Sequence, residues 1–405
     1  MSRVQAFRSR RWLCLAGALV ICISAGFGYA WSVLQTPIAA AHGWAGGQVA
    51  LTFTLTVVFS TLTPLFLGGL IRRLPLRGAV ALGAVLYGFG IFATGSITAL
   101  WQLYLFYGVC SGLGCGFIYP AMMAYVVRLF PDRSGFASGL GAAAYGSGAV
   151  LWAPVSVALS GALSLGAAFR ILGGGFAAVI LLSALLLAEP PEGFAQALAP
   201  AGAQGAGGAA APSLRRGEMV RTPAFYLMVC TFTGGLTAGM VVISQASPIL
   251  QQTLGYPAAA AAAWVSVFSA CNMAGRFLWG GVSDKLGIRG TVALIFLVCV
   301  ASMAALALAH GEAVTLIAMG AAASCYGGFA AVITPLTARM FGPEYLTENY
   351  GVMYVVYGLA SLIGPNLAVG FQSAAGGSYT GAYLVAAALA AVGLVLSRSI
   401  RAGRE

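Results

Sequence analysis

The residue whose type and position point most directly to chemistry is Arg276. It lies in the apolar stretch WVSVFSACNMAGRFLWGGVSD, 12 residues after Trp264 and 8 residues before Asp284. At a helical rise of 1.5 Å per residue, it lies about 12 Å from the end of that stretch. A charge at this depth in a membrane costs at least about 2.5–3.5 kcal/mol, and no aspartate or glutamate is expected nearby to neutralise it. Arg276 is therefore predicted to bind an anion; the alternative is that its guanidinium bonds helix carbonyls at a bundle interface.

Four further polar side chains are candidates for the same anion site. Asn272 lies one turn before Arg276 on the same helix face, where its amide could fix the guanidinium or bind the anion. Tyr119 and Tyr326 lie in the glycine-flanked stretches CSGLGCGFIYPAMM and ASCYGGFAAV, and Tyr29 lies in the first apolar span. A buried phenol needs a hydrogen-bond partner, and a carboxylate oxygen would serve. The alternatives are a backbone carbonyl as partner for the amide, and interhelical bonds or a place in an interfacial belt for the tyrosines.

Other kinds of site are not expected. The chain has two histidines, His42 and His310, both near loops, and none of its eight cysteines forms a close CxxC pair. This pattern predicts no metal site, no disulfide and no other cofactor. An enzyme would need a nucleophile–base pair or metal ligands in the spans, and the GxxxxGK[ST] loop of ATP-driven pumps is absent. We therefore expect neither an enzyme nor an ATP-driven pump.

The composition indicates which elements must position these residues. Of the 405 residues, 60% are hydrophobic and 7% are charged, whereas a soluble domain contains about 25% charged residues. About 20 apolar helical residues cross a bilayer core of roughly 30 Å, and on that measure the chain has twelve spans. The predicted fold is an all-α polytopic membrane protein surrounded by the lipid bilayer.

The formal net charge of +11 is distributed by loop. Basic clusters precede the first span and follow every second span, whereas the loops near 39–48, 95–100, 253–258 and 373–379 contain no lysine or arginine. This is the positive-inside pattern of membrane proteins. It predicts a multi-pass protein of the plasma (inner) membrane with both termini in the cytoplasm. Because the charge has this topological explanation, no nucleic-acid partner is implied.

The two halves of the chain repeat one another. Pro37 recurs 211 residues later as Pro248, Tyr145 recurs 212 residues later as Tyr357, and similar offsets hold at three further points. A near-constant offset in different spans indicates two homologous six-helix bundles in the same membrane orientation, as in parallel-repeat transporters.

The domain organisation follows from this repeat. Residues 1–188 are predicted to form the N-terminal six-helix bundle and residues 222–405 the C-terminal one. Residues 189–221, which include the tract APAGAQGAGGAAAPS, are predicted to form a flexible cytoplasmic linker loop.

The loop after the eighth span carries a motif. Residues 280–289 read GGVSDKLGIR, which resembles the GxLxDRxGxR loop of the major facilitator superfamily, and the resemblance extends over the whole chain once the twelve spans are included. It implies a conformational latch in which a carboxylate lies near a helix N-terminus and a cation. The expected latch residues are Asp284, Arg289, Gly280, Arg77, Arg128 and Arg339. The equivalent loop after the second span has lost its carboxylate, and the alternative is that these charges only orient the chain.

Three further stretches narrow the resemblance. GFGYAW at 26–31, FPDRSGFASG at 130–139 and RTPAFY at 221–226 are similar to segments of oxalate/formate antiporters and monocarboxylate transporters. The resemblance implies a monomeric secondary transporter of small monocarboxylates such as lactate or pyruvate, coupled to H⁺ by symport and working by alternating access. An oxalate/formate-type anion antiporter is the alternative, and a transporter of the same fold for an unrelated substrate is a third interpretation.

Two departures from those relatives bear on mechanism. The eukaryotic relatives commonly carry an aspartate where this chain has Asn272, and they carry a lysine in the first span, where this chain has no cation. The antiporters add a lysine in the eleventh span, which is also missing here. A single cation suits a single carboxylate, and a co-transported proton would have to travel on the substrate or on a water molecule.

Overall fold

The computed structural model describes residues 3–131, 134–191, 194, 198, 213–308, 311–342 and 345–400. Within these residues, twelve helices are long and apolar enough to cross a membrane, which confirms the predicted all-α polytopic fold. In chain order, α1 to α12 are Phe7–His42, Gly46–Leu67, Leu76–Thr94, Leu100–Leu129, Gly139–Ala162, Leu165–Leu186, Pro223–Leu254, Ala258–Ser283, Lys285–Leu308, Glu312–Phe341, Glu348–Ala374 and Thr380–Ser397.

Two helices that reach the centre of the molecule are locally irregular. In α1 the backbone adopts a 3-10 turn at Gly26–Ala30, and in α4 it adopts a π-helical turn at Tyr104–Cys110. Glycine is required at position 26 because a Cβ atom there would collide with the backbone oxygen of Tyr145 in α5. This close approach of α1 to α5 positions the next residues of α1, including Tyr29, at the wall of a central cavity.

The N-terminal and C-terminal helices meet at several pairs, among them α2 with α11, α5 with α8 and α1 with α7. The Thr54 Oγ1 hydroxyl of α2 donates to the backbone oxygen of Ser361 in α11 at 2.9 Å. The Ser269 Oγ hydroxyl of α8 donates to the backbone oxygen of Gly146 in α5 at 2.7 Å. Both hydrogen bonds link helices of opposite halves that contribute to the wall of the central cavity.

The described ends of the linker are packed, which the composition did not predict. Phe194 is buried and lies edge-on against Phe7 of α1, with ring centroids 5.0 Å apart. At the other end, the backbone N–H of Leu214 donates to the Phe341 oxygen at 2.9 Å, and Asn349 Nδ2 donates to the Leu214 oxygen at 2.9 Å. A short helix follows within residues 213–221, and residues 192–193, 195–197 and 199–212 lie outside the described part of the chain.

Candidate functional site

A cavity of about 50 Å³ lies between the two halves, and nine of the twelve helices contribute to its wall. Seven of the lining residues are tyrosines, and one is an arginine. The lining residues are Ala25, Gly28, Tyr29, Phe53, Thr56, Val57, Ser60, Tyr87, Cys115, Tyr119, Tyr145, Met240, Arg276, Tyr326, Ala330, Tyr354 and Tyr357. Four of the five residues predicted from the sequence to bind substrate are therefore brought together here.

Arg276 of α8 is the single charged member of this described lining. Its side chain is 6% exposed. Nη1 donates to the backbone oxygen of Ala142 at 2.6 Å, and Nη2 donates to the Tyr29 hydroxyl at a long 3.5 Å. Nε has no hydrogen-bond partner among the described residues. The guanidinium is thus anchored on α5 through one nitrogen, while the Nε–Nη2 edge, which carries parallel N–H groups, lacks a strong acceptor.

Gly146 provides the space in which the guanidinium lies. A Cβ atom at this position would be 3.1 Å from Arg276 Nε and 3.3 Å from both Cζ and Nη2. The same glycine accepts the hydrogen bond from Ser269, which lies two turns before Arg276 on α8. Because the Ser269 bond helps to hold α5 and α8 at this spacing, a Cβ atom at 146 would require the guanidinium to shift by a few tenths of an ångström.

Six of the tyrosines form a closed ring of aromatic neighbours in the cavity wall. The ring-centroid distances are Tyr29–Tyr145 5.5 Å, Tyr145–Tyr119 4.3 Å, Tyr119–Tyr354 5.9 Å, Tyr354–Tyr357 4.9 Å, Tyr357–Tyr326 5.9 Å and Tyr326–Tyr29 6.3 Å. Each phenol packs against two neighbours of the ring, and the hydroxyls of Tyr29 and Tyr145 also contact Arg276 and Cys115. The ring therefore supplies several neutral hydrogen-bonding groups beside one fixed positive charge.

Half of this ring was missed by the sequence reasoning. Tyr145 and Tyr357 had been recognised as equivalent positions of the repeat, but not as cavity residues. Tyr354 lies near the start of α11, about one helical turn before Tyr357, and no sequence motif marks it as a cavity residue. Their equivalence in the repeat was the available clue, because a parallel repeat places equivalent residues on opposite walls of the same cavity.

Asn272 is not among the residues that line the cavity. Its side chain is 1% exposed, and its Oδ1 has no hydrogen-bond partner within the described part of the chain. It lies against α10, where a Cβ atom at Gly327 would be 2.9 Å from Oδ1. The structure thus locates Asn272 in the α8–α10 interface, one helical turn from Arg276 but facing another helix.

The predicted latch residues lie near helix ends. Arg77, at the start of α3, donates from Nε to the Leu187 oxygen at 2.8 Å and from Nη2 to the Leu185 oxygen at 3.0 Å. An arginine that bonds the final carbonyls of another helix stabilises that helix end. Arg128, Arg339 and Arg289 are exposed.

The backbone turns at a glycine near the start of α9. Gly287 has a φ of +71°, which residues with a Cβ rarely adopt, and Gly280 is half-buried at the end of α8. The side chain of Asp284 lies outside the described part of the structure, so the latch remains a prediction for Asp284.

Comparison with known proteins identifies relatives over nearly the full chain. The sequence pattern of the Major Facilitator Superfamily matches residues 16–365 and 246–403. The chain is 28% identical over 357 residues to the MFS-type transporter YhjX of Escherichia coli (strain K12), covering 88% of this chain and 87% of that protein. It is 27% identical over 400 residues to the oxalate:formate antiporter of Oxalobacter formigenes (97% and 93% covered) and 24% identical over 343 residues to monocarboxylate transporter 12 of Rattus norvegicus (78% and 69% covered).

Solved structures share the fold at low sequence identity. A bacterial homolog of the human lysosomal transporter Spinster, in an inward-facing and occupied conformation, superposes with a TM-score of 0.71 at 17% identity, covering 96% of each chain. The transporter FucP in the outward conformation superposes with a TM-score of 0.63 at 19% identity, covering 95% of this chain and 98% of that one. These similarities confirm the transporter fold.

Proposed function

Because the chain belongs to the Major Facilitator Superfamily, a family of membrane transporters and not of enzymes, we propose that it carries small monocarboxylates such as lactate and pyruvate by alternating access. The observation that carries this proposal is Arg276, a buried cation in the wall of a central cavity, whose Nε has no hydrogen-bond partner among the described residues and whose Nη2 has only a long one. A charge in that position is costly without an anion. A carboxylate would supply the missing acceptor.

The carboxylate would bind the Nε–Nη2 edge of Arg276. Two parallel N–H groups match the two oxygens of a carboxylate, and such bidentate, charge-assisted pairs are roughly twice as strong as neutral hydrogen bonds. Nη1 would keep its bond to the Ala142 oxygen, so the guanidinium would not have to be reoriented on binding. The hydroxyl of Tyr29, already 3.5 Å from Nη2, is positioned to donate to the bound anion.

The size and charge of the cavity favour small substrates with one carboxylate. A cavity needs about 10–15 Å³ of free volume to hold one water molecule. A cavity of about 50 Å³ therefore accommodates a molecule of only a few non-hydrogen atoms. Among the described lining residues, Arg276 alone carries a charge, and the remaining polar groups are hydroxyls and one thiol. One carboxylate would be neutralised, whereas a second would not.

Proton symport is the coupling mode that we propose. An anion that enters a cell with a negative interior works against about 2.3 kcal/mol per 100 mV, and a co-transported proton removes that cost. No carboxylate or histidine occurs among the described lining residues, so the proton would travel with the substrate or with water beside Arg276. We assign the protein to the inner membrane with both termini in the cytoplasm, on the basis of the alternating basic loops.

Anion exchange is the second candidate. It is favoured by the 27% identity with the oxalate:formate antiporter over 97% of this chain. Exchange would also remove the electrical cost of anion entry, since one anion leaves as another enters. The two modes differ in whether uptake requires an anion on the opposite side of the membrane.

Uptake into proteoliposomes tests the proposed substrate class. Purified protein should take up labelled lactate and pyruvate faster than empty liposomes, and an inward-directed proton gradient should accelerate uptake. A neutral sugar serves as the matched control for an unrelated substrate and should not be transported. Transport of the sugar, or of none of the acids, would contradict the proposal.

A further inference from the structure

We propose that Gly28 of α1 limits the size of the acid that the cavity accepts, because the free space beside Arg276 lies next to this glycine. The inference rests on the proposed function, since it concerns the part of the substrate that extends away from the carboxylate. Gly28 and Tyr29 are consecutive, and the Tyr29 hydroxyl contacts Arg276 Nη2. Gly28 and Arg276 also line the same cavity, so the substituent of a carboxylate bound to Arg276 would share that space with Gly28.

The repeat shows why space exists there. In α4 and α10 the equivalent positions are 211 residues apart, which pairs Cys115 with Tyr326. The packing agrees with this pairing. Gly116 lies against the backbone of Ser60, and its equivalent Gly327 lies against the backbone of Asn272, which is the position equivalent to Ser60. Where the C-terminal half carries a bulky phenol, the N-terminal half therefore carries a small thiol.

The same offset pairs Gly28 of α1 with Gly239 of α7. A Cβ atom at Gly239 would be 2.7 Å from both Cβ and Cδ2 of Tyr326, so this side of the cavity is filled. A Cβ atom at Gly28 would meet nothing within 4 Å. Because Cys115 occupies the position equivalent to Tyr326, the N-terminal half retains the space that the phenol fills in the C-terminal half.

Gly28 can be substituted without straining the fold. Its φ is not among the positive values that disfavour a Cβ, and a Cβ atom added there meets no neighbour within 4 Å. A larger side chain at this position would instead reduce the volume that the substrate occupies. Gly28 thus offers a graded change in cavity size with an intact guanidinium site.

The test is a size series of acids against a size series of side chains. Gly28→Ala and Gly28→Val are compared with the wild type for the transport of formate, acetate, pyruvate and 2-oxobutanoate. Gly175→Val is the matched control, because Gly175 is exposed on α6 and also has nothing within 4 Å of its Cβ position. We expect the ratio of 2-oxobutanoate transport to formate transport to fall at least about tenfold in Gly28→Val and to stay unchanged in Gly175→Val, because the added side chain at 28 occupies space that the longer acid needs.

A second readout does not depend on transport. Cys115 lines the cavity, and its labelling by methyl methanethiosulfonate can be followed by peptide mass spectrometry while the exposed Cys230 serves as the internal reference. Gly28→Val should slow the labelling of Cys115 at least about fivefold relative to Cys230, because the reagent must enter the same space.

The outcomes separate the two proposals. A size profile and a Cys115 labelling rate that are both unchanged in Gly28→Val would overturn the role of Gly28. If the wild type transports none of the acids, the proposed function fails, but slower labelling of Cys115 still supports Gly28 as the border of the free space. If transport occurs and only the Gly175→Val control changes the size profile, the inference is wrong while the proposed function stands.

Discussion

Gln35 of α1 and Gln245 of α7 exchange two hydrogen bonds across the boundary between the two halves. Gln35 Nε2 donates to Gln245 Oε1 at 3.2 Å, and Gln245 Nε2 donates to Gln35 Oε1 at 3.1 Å. The two side chains are 5% and 1% exposed. Because each amide donates and accepts, both are satisfied only while α1 and α7 remain together. The pair therefore favours the conformation in which α1 and α7 are in contact.

The first prediction concerns this amide pair. Gln35→Leu leaves the Gln245 amide buried without a partner, which should destabilise the protein by about 1–3 kcal/mol. The double variant Gln35→Leu, Gln245→Leu should be less destabilised than the sum of the two single variants, with a coupling of about 0.5–3 kcal/mol. Thermal unfolding of the purified proteins measures both effects.

An exposed amide pair within one half is the control for this cycle. Gln372 Nε2 donates to Gln252 Oε1 at 3.1 Å, and both residues lie in the C-terminal half. The corresponding leucine variants should show a smaller coupling because water can satisfy the freed amides. Strict additivity at Gln35 and Gln245 would show that the two amides do not stabilise one another.

The site illustrates what could be predicted from the sequence. Arg276, Tyr29, Tyr119 and Tyr326 were recognisable because a polar side chain in an apolar span must have a partner, and all four line the cavity. That inference needs only burial and helix length, which the sequence encodes directly. The twelve spans were predictable for the same reason.

The other features of the site depend on tertiary packing, which the sequence does not show. Asn272 and Arg276 are four residues apart, which leaves an offset of about 40° around an α-helix. The long arginine reaches the cavity in spite of that offset, whereas the short amide faces Gly327 of α10. The ring of tyrosines could not be predicted from the sequence either, since Tyr354 meets Tyr119 only through the tertiary contact of α11 with α4.

The second prediction concerns the charge itself. Arg276→Gln should lower the affinity for pyruvate by about 10- to 150-fold, because it removes a charged hydrogen bond worth about 1.5–3 kcal/mol. Arg276→Lys should also bind poorly, since an ammonium lacks the planar fork that matches a carboxylate. Competition binding to the detergent-purified variants measures the loss, and circular dichroism checks that each remains helical. Wild-type affinity in either folded variant would refute the assignment.

The third prediction tests the position of the guanidinium. In Gly146→Ala the new Cβ would be 3.1–3.3 Å from the guanidinium of Arg276, so the side chain must move, and pyruvate affinity should fall about tenfold. Gly139→Ala on the same helix is the control, because its Cβ would lie at an ordinary 3.8 Å from Phe277. Equal affinities in the two variants would show that the observed position of Arg276 is not required for binding.

The fourth prediction concerns substrate charge. A second carboxylate would enter the cavity without a partner, at a cost of several kcal/mol. Oxalate should therefore compete with labelled pyruvate at least about a hundredfold less effectively than lactate does at neutral pH, and formate serves as the small monovalent control. If oxalate competes as well as lactate, the specificity is that of an oxalate/formate-type antiporter.

The last prediction concerns coupling. Proton symport leaves the loaded carrier with the same net charge as the empty carrier, because the anion and the proton neutralise one another while Arg276 remains charged throughout. Entry of lactate should then acidify a lightly buffered liposome lumen even when no anion is present inside, and a trapped pH-sensitive dye measures that change. Liposomes that carry Arg276→Gln control for passive diffusion of the undissociated acid and should show slower acidification. Uptake that depends strictly on a preloaded anion would establish exchange, because only exchange moves the charge of one anion against that of another.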